Sequence, residues 1–155
     1  MATSGKIVDL SSELSIPQLS GLKQQLDQEV ELLATSIQQL QNARIKYQES
    51  GECVSSQAKV PKNSEILVPL TASMYVNGTI VDNDRFLIDI GTGYYIERNR
   101  EATIDYFKRK VEFLNKEIEK FAKIAQEKIN IRESVIEALV YKQQAALLAS
   151  KAQAQ

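Results

Sequence analysis

The sequence predicts an α+β chain that is mostly α: a long antiparallel coiled-coil hairpin whose two helices are separated by two central β-hairpins. Three observations carry this. Apolar residues recur with a mean spacing of about 3.5 in the first and last thirds of the chain, the period of helices that wind around one another. The period drops to 2 between Glu65 and Glu97. Neither kind of segment stands alone, since a long helix with one apolar seam needs a partner and a two-stranded hairpin is marginal in water. The expected layout is one domain over 1–155: a first helix over 15–55, hairpins over 65–98, a second helix over 99–150, and flexible tails at 1–14 and 151–155.

The first helix opens at "SIPQ". Ser15 can cap the orphan amides, Pro17 lies in the first turn where its missing N–H costs little, and Gln18 stands where a capping box wants it. The seam then runs Leu19, Leu22, Leu26, Val30, Leu33, Ile37 and Leu40. Arg44 interrupts it and Tyr47 resumes it, with one 4–4 irregularity. Gly51 either ends the helix or loosens it.

The second helix starts near Asn99, a good N-cap, with Glu101 favourable in the first turn. Its seam reads Ile104, Phe107, Val111, Leu114, Ile118, Phe121, Ile124, Lys128, Ile131, Val135, Ala138, and only the 118–121–124 step breaks the alternation. Asp105 with Arg109, Glu112 with Lys116 and Glu119 with Lys123 are i,i+4 pairs that mark a solvent face. Some fifty helical residues extend about 75 Å at 1.5 Å per residue, more than a compact chain of this size needs. The nearest partner is the first helix, which puts both termini at the far tip.

In the middle, Phe86, Ile88 and Ile90 share one face and Arg85, Leu87 and Asp89 the other; Met74, Val76 and Ile80 also share a face. "ILVPL" is apolar at nearly every position, and Pro69 confines its strand to an edge or turns the missing N–H away from the partner. "GTG" at 91–93 is a tight turn. For the first hairpin, "NG" at 77–78 is the stronger isolated turn signal, but it would leave "ILVPL" unpaired. A turn at 71–73 between strands near 65–70 and 74–80 is therefore expected. Open edges and amphipathic tyrosines predict oligomerisation through β-structure. The residues expected to carry it are Leu67, Val68, Leu70, Met74, Tyr75, Val76, Phe86, Ile88, Ile90, Tyr94, Tyr95 and Ile96.

Composition excludes several chemistries. A formal net charge of −1 argues against binding nucleic-acid phosphates. No run of eighteen apolar residues suggests a membrane span, and the N-terminus lacks a signal-peptide core. The sequence has no His and no phosphate-binding G-x-x-x-x-G-K-[ST], so catalytic, metal and cofactor sites are all expected to be none. Asn77-Gly78-Thr79 is a glycosylation sequon that is silent without a signal peptide. A lone Cys53 cannot form an internal disulfide. The cytoplasm, or the nucleus, is the expected location.

"LVPLTASMYVNG" (67–78) followed by "DIGTGYYIE" (89–97) resembles the α-class subunits of the prefoldin family. The helix openings "LKQQLDQEVELLATSIQQLQ" and "YFKRKVEFLNKEIEK" are similar to one α-class type in particular, and the resemblance covers roughly 15–135. It implies a hetero-hexamer in which the partners are one further α-class and four β-class subunits. The hairpins would form a shared β-barrel platform from which coiled coils hang. Unfolded clients such as actin and tubulin would be held and passed to the cytosolic chaperonin without ATP. Helix ends fray because terminal turns lack partners, so the expected client-binding tip is Leu14, Leu19 and Leu22 beside Val135, Leu139, Val140, Leu147 and Leu148. A structural subunit of another complex built on the same platform is the alternative; an enzyme is not supported by any convergent cluster.

Overall fold

A computed structural model describes residues 14–153, with side chains to Leu148. The expected tail over 1–14 lies outside the described residues except for Leu14, as do the last two residues of the tail over 151–155. The order is α1 (Ile16–Gln57), β1 (Glu65–Pro69), β2 (Tyr75–Thr79), β3 (Arg85–Gly91), β4 (Tyr94–Asn99) and α2 (Arg100–Gln153). The chain forms two compact units: one holds the residues up to Gln39 with those from Ile118 onward, the other Leu40–Glu117.

In the first unit, α1 begins as its sequence dictates. The Ser15 N–H donates to Gln18 Oε1 at 2.9 Å, one arm of a capping box. Leu19, Leu26, Val135 and Leu139 form a buried cluster with Leu14, Ile16, Leu22 and Ala138 packed around it. The seam differs from the expected one. On α2 Ala125, Lys128, Arg132, Val135 and Leu139 are covered after Phe121 and continue the 3–4 alternation, with Ile129, Ile136 and Ala138 half-buried beside them. Ile124 and Ile131, expected in the seam, stand 44% and 48% exposed. The 4–4 irregularity on α1 is resolved in the same way, with Lys23 half-buried between Leu19 and Leu26.

Cross-helix charge is the physical reason. Glu29 takes Lys128 at 2.7 Å, and Asp27 takes both Lys23 at 2.8 Å and Arg132 at 3.4 Å. These partners hold Lys128 in the seam position expected for it and let Arg132 be covered where Ile131 is expected.

In the second unit, α1 runs through Gly51 to Gln57 and then relaxes into i→i+3 turns before Pro61. Gly51 faces Phe107: a Cβ there would lie 3.3 Å from the Phe107 Cβ. The glycine thus serves close approach of the two helices rather than termination. The Tyr47 and Phe107 rings meet tilted at 42°, with 6.2 Å between their centres. Asn99 Oδ1 accepts the Ala102 N–H at 3.0 Å, the expected N-cap of α2, and the buried Thr103 hydroxyl donates to the Asn99 carbonyl at 2.8 Å. The i,i+4 pairs Asp105–Arg109 and Glu112–Lys116 close at 2.8 Å.

The strands form two separate antiparallel pairs, β1–β2 and β3–β4. The first hairpin turns at 70–74, where the Leu70 N–H donates to the Met74 carbonyl at 2.9 Å. Asn77-Gly78 lies inside β2, with Gly78 opposite Ile66. In the second hairpin Gly91, Thr92 and Gly93 all take positive φ (107°, 53° and 80°), which explains two glycines around one residue. The Asp89 carboxylate accepts the Gly91 N–H at 2.8 Å, and the register shifts between Asp89 and Gly91. The link between hairpins is fixed by Arg100, whose guanidinium donates to the Asn83 carbonyl at 2.6 Å, and by the Asn83 amide donating to the Val60 carbonyl at 2.8 Å.

Candidate functional site

Two sets of apolar residues lie open, one on the hairpins and one on α2. Register assigns the hairpin faces. In β1–β2 the pairs Ile66–Gly78 and Val68–Val76 share one face; Leu67–Asn77 and Pro69–Tyr75 share the other. Leu67, Val68, Leu70, Met74, Tyr75 and Val76 are all exposed, so this hairpin is apolar and open on both sides. Such a strand pair, with two unpaired edges, is a template for further strands.

In β3–β4 the two faces behave differently. Ile88 pairs with Ile96, and Phe86 lies on the same side. Ile88 is only 4% exposed and lines a recess with Ala43, Tyr47 and Phe107, so this face is turned onto the chain's own helices. Phe86 and Ile96 are half-buried; Ile90, Tyr94 and Tyr95 are exposed. The outer face instead presents Leu87, which is 72% exposed between Arg85 and Asp89. Alternation groups Leu87 with the polar side, yet it adds to the exposed apolar surface, as do Ile66 and Val81, which the expected set does not include. Arg85 bridges Asp82 at 2.9 Å and Glu97 at 3.2 Å on that outer face. The Asp82 carboxyl is held below its ordinary range by the Asp84 N–H first and by Arg85 second.

At the helix ends the expected tip residues divide. Leu14, Leu19, Leu22, Val135 and Leu139 are brought together in the buried cluster, and the Lys142 ammonium donates to the Leu14 carbonyl. Val140, Leu147 and Leu148 are not in it; they stand exposed, and so does Tyr141, which sequence reasoning missed. Val140 with Leu147, and Tyr141 with Leu148, are spaced by seven, so the four share one side of α2. That spacing was the available signal. Among the described residues no helix is long and apolar enough to cross a membrane.

The family model described as "Prefoldin subunit" matches residues 26–145. The chain belongs to the prefoldin family. Within it the similarity runs to subunit 5. Human "Prefoldin subunit 5" is 47% identical over 143 residues, spanning 92% of this chain and 93% of its own length. The Drosophila melanogaster "Probable prefoldin subunit 5" is 44% identical over 141 residues, 91% of this chain and 83% of its own. A chain of the filamentous PFD of Methanocaldococcus jannaschii, solved by cryo-EM, superposes with a TM-score of 0.68 over 76% of this chain and 97% of that one, at 16% identity. Two long helices with two small antiparallel hairpins are therefore a prefoldin fold.

Proposed function

We propose that this chain is an α-class subunit of a hetero-hexameric prefoldin, assembled with one further α-class and four β-class subunits. Its hairpins contribute strands to a shared β-barrel. The helix ends hold unfolded polypeptides of the actin and tubulin kind, without ATP, and deliver them to the cytosolic chaperonin. The cytoplasm is where such clients and chaperonin meet.

The observation that carries this reading is the exposed row of Val140, Tyr141, Leu147 and Leu148 beside a tightly buried cluster. A fixed core beneath an open apolar row offers a client a surface without requiring the helix pair to separate. Each contact is weak, at about 25 cal/mol per Å² of apolar area before ordering costs. Several subunits acting on one client raise the effective concentration, and weak single contacts permit release.

The test is suppression of aggregation of chemically denatured actin by the reconstituted hexamer. Replacing Val140, Leu147 and Leu148 by Ser is expected to abolish this subunit's share while leaving assembly intact. Unchanged suppression by the variant hexamer would overturn the assignment of the tip. No suppression by the parent hexamer would favour a scaffolding role.

A further inference from the structure

The hydrogen bonds of the first hairpin distinguish its two edges. The Leu70 N–H donates to the Met74 carbonyl at 2.9 Å, and the Ile80 N–H donates to the Ser64 carbonyl at 3.0 Å. These two pairs bracket the register in which Ile66 faces Gly78 and Val68 faces Val76. Bonded and non-bonded pairs alternate along an antiparallel ladder. Ile66, Val68, Val76 and Gly78 therefore turn their backbone groups inward. The pairs Glu65–Thr79, Leu67–Asn77 and Pro69–Tyr75 turn theirs to the free edges.

Those edges are not equivalent. On β1 the outward positions are Glu65, Leu67 and Pro69. Pro69 has no N–H to give, and its ring stands where a partner's carbonyl would approach. Glu65 puts a charge on the same edge, and proline and charge are the devices that keep edge strands from pairing. On β2 the outward positions are Tyr75, Asn77 and Thr79, which all carry a donor and an acceptor, with no charge and no proline. They span about 14 Å at 3.4 Å per residue. Among the described residues no third strand pairs with β2.

We infer that the first hairpin is joined through β2 by a strand of a neighbouring prefoldin subunit, and that β1 is its closed edge. This rests on the proposed function and adds to it the side on which assembly occurs. The chemistry of the incoming strand follows from the two faces. Leu67 and Tyr75 are exposed on one, Val68 and Val76 on the other. A strand added to this sheet meets apolar neighbours at successive positions, and a continuous apolar run matches them. Main-chain bonds supply the attachment, and these side chains supply the choice of partner.

In the experiment the full-length chain is co-expressed with its α- and β-class partners. Variant and parent compete for them, and native mass spectrometry reads the ratio in the six-subunit species. Thr79→Pro and Asn77→Pro each remove one outward N–H from β2 and leave the ladder to β1 untouched. Each is expected to lower incorporation by about tenfold, the effect of one buried carbonyl left without its donor. Glu65→Pro puts the same ring at the level of Thr79 on the opposite edge, and should change incorporation by less than about twofold. Thr79→Val and Asn77→Ala keep the N–H and should compete like the parent.

Equal loss from Thr79→Pro and Glu65→Pro, a larger loss from Glu65→Pro, or no loss from the β2 prolines overturns the edge assignment and leaves the hexamer standing. A loss from Thr79→Val and Asn77→Ala as large as that from the prolines does the same, since it puts the contact in the side chains. So do β2 prolines that dissolve only a self-complex of the chain, which makes a second copy the occupant. A parent chain found in no complex overturns the proposed function and the edge assignment together.

Discussion

The buried cluster at the helix ends and the first hairpin are built from much the same aliphatic residues, yet they meet opposite fates. Leu19 and Val135 are fully buried against each other's neighbours, whereas Leu67 on β1 is 66% exposed. The difference is one of partners. The two helices complement each other within the same chain, so Leu19, Leu26, Val135 and Leu139 are buried there. The hairpin has an apolar side chain on both faces and unpaired backbone at both edges, so nothing within its own strand pair can cover it. The cluster is intramolecular structure, and under the proposed function the open faces of the first hairpin are covered by other subunits.

Substitutions separate the two regions. Leu19→Ala opens a cavity in the cluster and should lower stability by about 2–3 kcal/mol, read as a fall in the helix melting transition by circular dichroism. Leu67→Ser, on the hairpin, should leave that transition within about 0.5 kcal/mol when the single chain is compared with its parent. If both shift the melt equally, the contrast fails. Gly51→Leu forces a side chain against the Phe107 Cβ and should cost about 1–3 kcal/mol by overpacking. Asn99→Ala removes the cap on α2 and should cost about 1 kcal/mol, seen as faster amide exchange in its first turn.

The smallest effect is that of pH. The Asp27 carboxyl is held below its ordinary 3.8, chiefly by the hydrogen bond from Lys23 and also by Arg132. The Glu29 carboxyl is held below 4.5, chiefly by Lys128 and then by Gln25. Both contributions are complete above those ordinary values and are lost as pH falls through the lowered ones. The melting temperature of the helix pair should therefore not respond to these groups between pH 7 and 5 and should begin to fall only below about 4, less so in high salt. A transition centred near pH 6 would contradict these pairings.

Much of this was legible in the sequence, for physical reasons that also explain the rest. "GTG" announced its turn because positive φ on successive residues selects glycine. The turn at 70–74 needed an argument about pairing, since "NG" carries the stronger local signal and ended up inside β2. The helix openings were readable from Ser15, Gln18 and Asn99 because capping is local. Beyond Phe121 the expected Lys128 and Val135 are covered, but hydrophobic periodicity cannot see Asp27 on the other helix, which holds Arg132 in the seam where Ile131 is expected. Among the candidate site residues, Ile88 was grouped with the outward set, although its face is turned onto Tyr47 and Phe107. Leu87 was passed over because its strand neighbours are charged. Alternation tells which residues share a face, not which face is outside.

The central claim is that the hairpin faces are covered by other subunits, and native mass spectrometry of the chain co-expressed with α- and β-class partners tests it most directly. The parent chain should appear in a six-subunit species, and the triple variant Leu67→Asp, Leu87→Asp, Tyr94→Asp should appear outside it with its helix content unchanged. A variant that still enters the hexamer in full, or a parent chain found only as a monomer beside assembled partners, would contradict the account.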